Sequence, residues 1–408
     1  MKKKIIVVSL AAVLAAGPAF AQGFRIPEQS INSTALSAAY VASTPNADAS
    51  YYNPANMSWL ESKWHTEASL TWIHLASIDY TDNVTAIKNG GSRTEDFALP
   101  NLHVVSPEYN NFRFGLSVVY PYGLSKRWDS AFPKASAEEF TLKTYELNPT
   151  VSYKINNQLS IGGGLRAIYA DGKVKSNASG ALIRDLEGDT REYGYNLAVT
   201  YKPVENLSLA ATYRSKIELD VEGTARLFGG GQSYSGHAEV MVPTPAVLTL
   251  ATAYTCNSGR TTAEFTYDKT FWNAYDKLDF NYSGILPNAT LTNAFDAPLA
   301  KNWTNAEAYR IGLTHKLDSQ WTIMAGFAID KNAVPDRTLG FELPDSDAKI
   351  YSCGLRYQYN EALQLGAAYL FDDKETRSVD QTATGGSING TFDNAAAHLF
   401  TAGLQYRF

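Results

Sequence analysis

Six arginines carry the clearest chemistry in this chain. Arg113, Arg166, Arg214, Arg310, Arg356 and Arg407 all stand on the polar side of segments that alternate apolar and polar residues. Arg113, Arg356 and Arg407 lie close to turns, whereas Arg166, Arg214 and Arg310 lie near the middle of their segments. A guanidinium offers a rigid fork of donors that holds a carboxylate through two parallel hydrogen bonds. Two uses are open. Arg166, Arg214 and Arg310 are candidates to bind the carboxylate of a ligand. Alternatively, the arginines neutralise protein carboxylates such as Glu28, Asp48, Glu146 and Glu264, as the rule that buried charges are paired would favour. Catalytic motifs are missing: there is no Walker-type Gly-rich loop and no Gly-x-Ser-x-Gly elbow. His74 falls on an apolar face, where a membrane hydrolase would need it, but no Ser or Asn stands at a defined spacing from it. The chain is expected not to be an enzyme, and to need no cofactor and no metal.

The arginines need a scaffold, and alternation supplies it. In residues 399–408, Phe400, Ala402, Leu404, Tyr406 and Phe408 face one way, and Thr401, Gly403, Gln405 and Arg407 the other. Residues 159–169 and 363–371 repeat the pattern. Aromatic residues such as Tyr351, Tyr357, Tyr359 and Tyr406 cluster at the ends of the apolar faces, as interfacial girdles require. Short connections (107–111, 156–158, 203–206, 257–260, 318–320, 360–362) alternate with long ones (81–96, 123–139, 171–188, 226–235, 283–302, 331–345, 372–389). This asymmetry is the mark of an outer-membrane barrel. The fold class read from it is all-β: a membrane-spanning antiparallel β-barrel of about fourteen strands, with both ends on the short-turn, periplasmic side. With 12% aromatic and only 19% charged residues, 25 Tyr and 29 Gly, the composition suits strands and turns. A net charge of −6 argues against a nucleic-acid partner. Cys256 and Cys353 form no disulfide framework and read as buried or lipid-facing thiols.

Ahead of the strands, residues 1–21 read as a cleaved signal peptide: Lys2 to Lys4, an apolar run, then Ala19-Phe20-Ala21. Residues 22–62 differ from everything after them. Small residues dominate, and Ile31, Ala35, Ala38 and Ala39 suit one short helix that ends before Pro45. Such a stretch cannot bury enough apolar surface to fold alone. It is expected to fold as a hatch that plugs the lumen of the barrel formed by 63–408.

Several motifs resemble one family. Gly23-Phe24, the small-residue helix, Ala47-Asp48-Ala49 and Asn53-Pro54-Ala55 are similar to the N-terminal hatch of outer-membrane long-chain fatty-acid transporters of the FadL/TodX/OmpP1 type, which include aromatic-hydrocarbon channels. Tyr120-Pro121-Tyr122-Gly123-Leu124, Leu147-Asn148-Pro149 and Leu343-Pro344-Asp345-Ser346-Asp347 fit the same family, and the resemblance covers essentially all of the mature chain. It implies passive uptake of a hydrophobic compound, foremost a long-chain fatty acid, through a lumen site that Phe24 would line. It also implies a hatch rearrangement and lateral release through a kinked third strand. That strand reads as 112–122. Pro121 and Gly123 mark a break toward its outer end, and Gly115 is the other candidate kink. Trp128, Phe132, Phe140, Phe228, Phe271, Trp272, Phe280, Ile285 and Leu286 in the long connections would build an outer ligand groove or cap one another, and residues 136–142 could form a short helix. Phe408 resembles the terminal signal read by the barrel-assembly machinery. The expected partners are therefore a hydrophobic ligand, outer-membrane lipid with lipopolysaccharide, and that machinery, with the chain a monomer. The alternatives are an aromatic-hydrocarbon channel, a general porin and an adhesin-type barrel.

Overall fold

The alternating segments close into one antiparallel ring of fourteen strands in the computed structural model, which describes residues 23–256 and 258–408. The expected leader, 1–21, lies outside the described residues. In chain order the strands are β1 (His65–Leu75), β2 (Glu95–Val105), β3 (Phe112–Val119, resuming as Gly123–Arg127), β4 (Glu139–Lys154), β5 (Leu159–Ala178) and β6 (Leu182–Val204). They continue as β7 (Leu207–Arg214 and Ile217–Gly229), β8 (Gln232–Thr244 and Val247–Cys256), β9 (Thr261–Thr270) and β10 (Ala306–Lys316). The last four are β11 (Trp321–Asp330), β12 (Ala348–Gln358), β13 (Leu363–Lys374) and β14 (Ala396–Arg407). Each strand pairs with its neighbours in sequence, and β14 returns to β1 with Phe400 opposite Trp72. Closure satisfies the backbone without an open edge, which hydrocarbon would not tolerate.

The two faces are inverted relative to a soluble protein. Leu70, Trp72, Phe114, Ile161, Ile311, Leu355 and Phe400 point outward and are exposed, while Glu67, Arg166, Arg310 and Thr401 point inward and are buried. Aromatic pairs flank the apolar band: Phe112 with Tyr153 (4.6 Å) and Trp321 with Tyr357 (4.7 Å) by the short turns, Tyr267 with Tyr309 (5.4 Å) and Phe327 with Tyr351 (5.3 Å) at the far side. This is the girdle arrangement of a bilayer-spanning barrel. Cys353 lies on the outer face and both cysteines are free.

The connections differ from expectation in two places. Residues 171–188 and 226–235 are mainly strand: β5 and β6 run on to a turn at 179–181, and β7 and β8 to Gly230 and Gly231. Beyond the apolar band both faces of a hairpin meet polar surroundings, so the alternation fades while the ladder continues. The helix expected at 136–142 lies earlier, at Ala131–Ala137, and β4 begins at Glu139.

Residues 23–60 lie inside the ring. Ser50 bonds Ser117 of β3 (2.7 Å), Ser160 of β5 donates to Ala55 O (2.9 Å), Asn53 donates to Thr200 of β6 (2.9 Å), Ser37 bonds Ser352 of β12 (2.8 Å) and Thr34 bonds Thr401 of β14 (2.9 Å). Partners on strands all round the circle surround the segment. It contains two short helices, α1 (Ile31–Ala35) and α2 (Ala49–Tyr52), and a 3-10 turn at Pro54–Trp59. The single helix expected out to Ala39 stops at Ala35, because Ser37 and Ala38 turn left-handed (φ 48° and 60°). Ala38 N–H then reaches back to Ser33 O (2.8 Å), closing the helix end, and Arg310 takes the Ser37 carbonyl (3.1 Å).

The small residues of this segment meet inward glycines of the wall. A Cβ on Gly162 would stand 2.6 Å from the Ala55 nitrogen, and one on Gly326 would stand 2.2 Å from the Leu36 carbonyl carbon. Contact here is backbone to backbone. Gly326→Val is therefore expected to dislodge α1 while leaving the ring, whose outward face it does not touch, able to assemble. Limited proteolysis of the N-terminal segment in heat-modifiable barrels checks this: cleavage should rise severalfold over the unsubstituted protein.

Candidate functional site

The residues that precede α1 form the floor of a cavity. Gly23 takes a positive φ (72°), and a Cβ there would stand 2.7 Å from both Trp272 and Trp303. Only glycine lets the chain turn beneath those two indoles. Gly23 N–H donates to Asp345 (3.1 Å), whose carboxylate also holds Lys374. Phe24 follows, 2% exposed, with ring centroids of Trp272 at 4.7 Å, Trp303 at 6.1 Å, Tyr122 at 6.2 Å and Tyr275 at 6.3 Å.

Above this aromatic floor lies about 790 Å³ of empty space, part of it open to solvent. Phe24, Leu142, Val174, Leu186, Val240 and Phe280 line it, with further apolar side chains from β4 to β8. One buried ion pair, Lys301 with Glu342, is part of the lining. Burial opposes ionisation of Glu342, but the adjacent Lys301 outweighs it, and the carboxyl sits below its ordinary value. A lining that is mostly apolar with a few placed polar groups is what a hydrophobic small molecule requires.

The long connections contribute unevenly. Phe140, at the start of β4, and Phe280 line the cavity, and Trp272 packs against Phe24; Trp128 and Phe132 pack with Phe341 and Tyr80 in another part of the same apolar cluster. Ile285 is 95% exposed. Tyr275, Trp303 and Lys301 were not singled out from the sequence. They sit in a non-periodic stretch, and only the adjacent Trp and Tyr side chains hinted at a buried role.

The wall is broken beside the floor. β3 stops at Val119 and resumes at Gly123, so the interruption is at 120–122, where Pro121 cannot donate to a ladder. Gly115 is not part of it. The ladder runs through Gly115, opposite Val105 and Thr150, and its missing side chain admits Met57 and Ser50 of the hatch. The β2–β3 ladder itself is only four residue pairs long, from Val105 with Gly115 to Leu102 with Val118. Contacts resume higher up, where Ser125 and Arg127 hold Glu95. Between the two lies a window. It is filled from inside: Ile26 N–H donates to Pro121 O (2.8 Å) and Gly123 N–H to Phe24 O (2.9 Å), pairing Arg25 with Tyr122.

The mid-wall arginines are committed to protein acceptors. Arg166 holds Glu146 through Nε (3.0 Å) and Nη2 (2.9 Å), and Arg214 holds the other oxygen of the same carboxylate. Arg310 bridges Asp268 (3.3 Å) and Asp330 (3.1 Å). Of the four carboxylates named from the sequence, Glu146 is an arginine partner. Glu264 instead accepts three backbone N–H groups of the hatch, and Asp48 accepts from Tyr40 (3.0 Å). Arg356 pairs with Glu67 (2.8 Å), and Arg113 clamps the carbonyls of Leu60 and Glu61 where the hatch leaves the ring.

Asn53 begins the Asn-Pro-Ala turn as its cap. Its side-chain oxygen accepts from Ala55 N–H (3.1 Å), and its amide reaches Val41 O (2.8 Å) and Thr200 (2.9 Å). Pro54 stands at the first position of that turn, as its fixed φ allows. Phe408 exchanges backbone hydrogen bonds with Trp64 (2.9 and 3.1 Å) and is 63% exposed at the short-turn end. His74 is on the outer face, bonded to Asp96 (2.9 Å).

Comparison with known proteins places this geometry. The profile of the family described as "Outer membrane protein transport protein (OMPP1/FadL/TodX)" matches residues 12–408. The long-chain fatty acid transport protein of Escherichia coli K12 is 25% identical over 325 residues, 67% of this chain and 70% of that protein. Outer membrane protein P1 of Haemophilus influenzae is 24% identical over 98% of both chains. Among solved structures, a Pseudomonas aeruginosa FadL homologue superposes with a TM-score of 0.80 at 20% identity, covering 95% of this chain and 100% of that one. The P. putida toluene transporter TodX gives 0.71 at 17% identity, covering 93% and 98%. The chain belongs to the OMPP1/FadL/TodX family of outer-membrane transport proteins, a family of hydrophobic-substrate channels.

Proposed function

We propose that this chain takes up long-chain fatty acids, passively, by way of the cavity over Phe24 and a lateral exit at the break in β3. One observation carries the reading. The residue that floors the apolar cavity is the same residue whose backbone fills the window in the wall. A ligand that displaces Phe24 necessarily disturbs the seal beside it. The driving force is ordinary partitioning: an acyl chain prefers hydrocarbon to water by about 0.8 kcal/mol per CH₂, which lateral release into the bilayer keeps and release into the periplasm would forfeit. Lys301, among the lining residues, can share its charge between Glu342 and a carboxylate head group. Arg166, Arg214 and Arg310 hold the wall and are not assigned to the ligand. Rearrangement of the hatch, 22–62, is part of the same proposal. So are assembly through the terminal Phe408, contact of the outer face with lipopolysaccharide, and action as a monomer.

The aromatic floor of Phe24, Tyr275 and Trp303 also suits small aromatic hydrocarbons, which is the second reading. Uptake of labelled oleate and labelled toluene by a deletion strain carrying this chain separates the two. Oleate uptake is expected, and it should fall about tenfold in Ala238→Trp, which fills the cavity from β8. Toluene uptake without oleate uptake would favour the second reading. Uptake of neither, with folded protein in the membrane, would count against both.

A further inference from the structure

Gln29, in the hatch just ahead of α1, is fully buried and has no apolar work to do. Its side-chain amide meets the backbone of Tyr120, in the break of β3, on both sides: Oε1 accepts from Tyr120 N–H (2.8 Å) and Nε2 donates to Tyr120 O (3.0 Å). That is the donor–acceptor pair a neighbouring strand would offer. Nε2 also reaches Ile26 O (3.0 Å), tying the amide to the stretch that pairs with 121–123. The main chain of Gln29 is fixed as well. Its carbonyl accepts from His103 Nε2 (3.0 Å) on β2, and its N–H donates to the Tyr52 hydroxyl (2.6 Å). Gln29 thus touches both margins of the window, β2 through His103 and β3 through Tyr120. It does so just beyond Leu102 and Val118, where the β2–β3 ladder ends.

We propose that Gln29 is the latch of this seam. Its amide stands in for the missing ladder, and its release lets residues 24–29 leave the break and opens the wall. The proposal rests on the lateral route argued above, and it assigns the control of that route to one residue. With Gln29 in place, every backbone group of Tyr120 at the lipid boundary is satisfied, so the seam rests closed. Without it, the N–H and C=O of Tyr120 lose their partners, and the low-energy closed state is lost. His103 extends the latch inward, since its Nδ1 meets Ser117 Oγ (3.0 Å), which in turn bonds Ser50 of α2 (2.7 Å). Gln29 is a positioning residue: it acts on the gate and not on the cargo.

Two measurements test it. In purified protein, Gln29→Leu should speed amide exchange in the peptide spanning 116–124 at least tenfold while leaving β9 to β13 protected. Unchanged protection at 116–124 overturns the proposal. The second fixes the native contact covalently. Arg25 and Tyr122 are antiparallel partners flanked by the two backbone bonds, a non-hydrogen-bonded pair whose spacing of about 4.5 Å admits a disulfide. Arg25→Cys with Tyr122→Cys, in a chain carrying Cys256→Ser and Cys353→Ser, should take up at least tenfold less oleate when oxidised than the same chain after dithiothreitol, a comparison in which the loss of the Tyr122 ring and of the Arg25–Asp268 pair is common to both arms. A merely structural contact would not be harmed by being made permanent. Full uptake with the disulfide formed therefore overturns the latch while leaving transport standing. Should the unsubstituted chain take up neither oleate nor toluene, the transport reading fails and the exchange measurement still decides the latch.

Discussion

Glu146→Ala is expected to abolish the assembled barrel, the largest effect of any single substitution in the wall. Glu146 on β4 is 1% exposed, and its two oxygens serve two guanidinium groups, Arg166 from β5 and Arg214 from β7. Arg166 also donates to Ser215 O (2.7 Å), in the interruption of β7. Arg214 lies over the Tyr51 ring of α2, 4.3 Å from its centre. One carboxylate therefore ties three strands and the hatch together. Removing one partner of a buried pair costs about 3–5 kcal/mol, because the remaining charge is left uncompensated, and here two charges are left. That is comparable to the whole stability of an ordinary domain. Heat-modifiable protein in the outer membrane should drop to a few per cent of normal. Glu146→Gln, which keeps one acceptor, should retain more. Exchange of Glu146, Arg166 and Arg214 together for apolar residues of similar volume should recover assembly better than Glu146→Ala, since it leaves no orphan charge. Folded, ligand-binding Glu146→Ala barrels in normal amounts would show that the arginines do not depend on this carboxylate.

The two faces of each strand were legible because alternation has a period of two and a bilayer forces it. It put Arg166 and Arg310 inside and Phe400 and Leu404 outside without any knowledge of neighbours. The partners of those arginines were legible only in part. Glu146 could be named, but Asp268, Asp330 and Glu67 could not, because which inward residues meet depends on the stagger between strands, and single-strand patterns do not encode stagger. Pro121 announced the break in β3 through its missing donor. Gly115 looked like a second candidate for a different reason: a glycine signals that something lies close, not what it is, and here the neighbour is Met57 of the hatch. The cavity was the least legible part. Tyr275 and Trp303 reach it from the connection between β9 and β10, whose path follows from packing over the lumen and not from any repeat. Gln29 was silent for the same reason, since a side chain that replaces a strand leaves no periodic trace.

Glu264→Ala is expected to turn a closed barrel into a conducting one. Glu264 on β9 points inward, and its carboxylate accepts from three consecutive hatch N–H groups: Val41 (2.5 Å), Ala42 (2.7 Å) and Ser43 (2.9 Å). Successive backbone N–H groups converging on one acceptor form a nest, and the acceptor here is a carboxyl group of the wall. A hydrogen bond contributes roughly 0.5–1.5 kcal/mol net, so three on one carboxylate outweigh any single hydroxyl contact between this segment and the wall. The segment it secures lies above a second, more polar void of about 830 Å³, partly open to solvent, bounded by residues 42–45, Lys202, Glu205 and Arg407 near the short turns. Once 41–43 are released, that void can extend upward past the hatch. Glu264 makes no ion pair with the ring's arginines, so its loss leaves the wall intact and heat-modifiability unchanged. Planar-bilayer recordings should then show steady ohmic current from Glu264→Ala and little from the unsubstituted chain, and cells should become several-fold more sensitive to large hydrophilic antibiotics. Glu264→Gln, which keeps an uncharged acceptor, should fall between. A quiet Glu264→Ala channel would mean that the Asn53 and Asn56 contacts to Val41 and Thr200 suffice to hold the plug. The seal would then be distributed over the hatch instead of concentrated at one carboxylate.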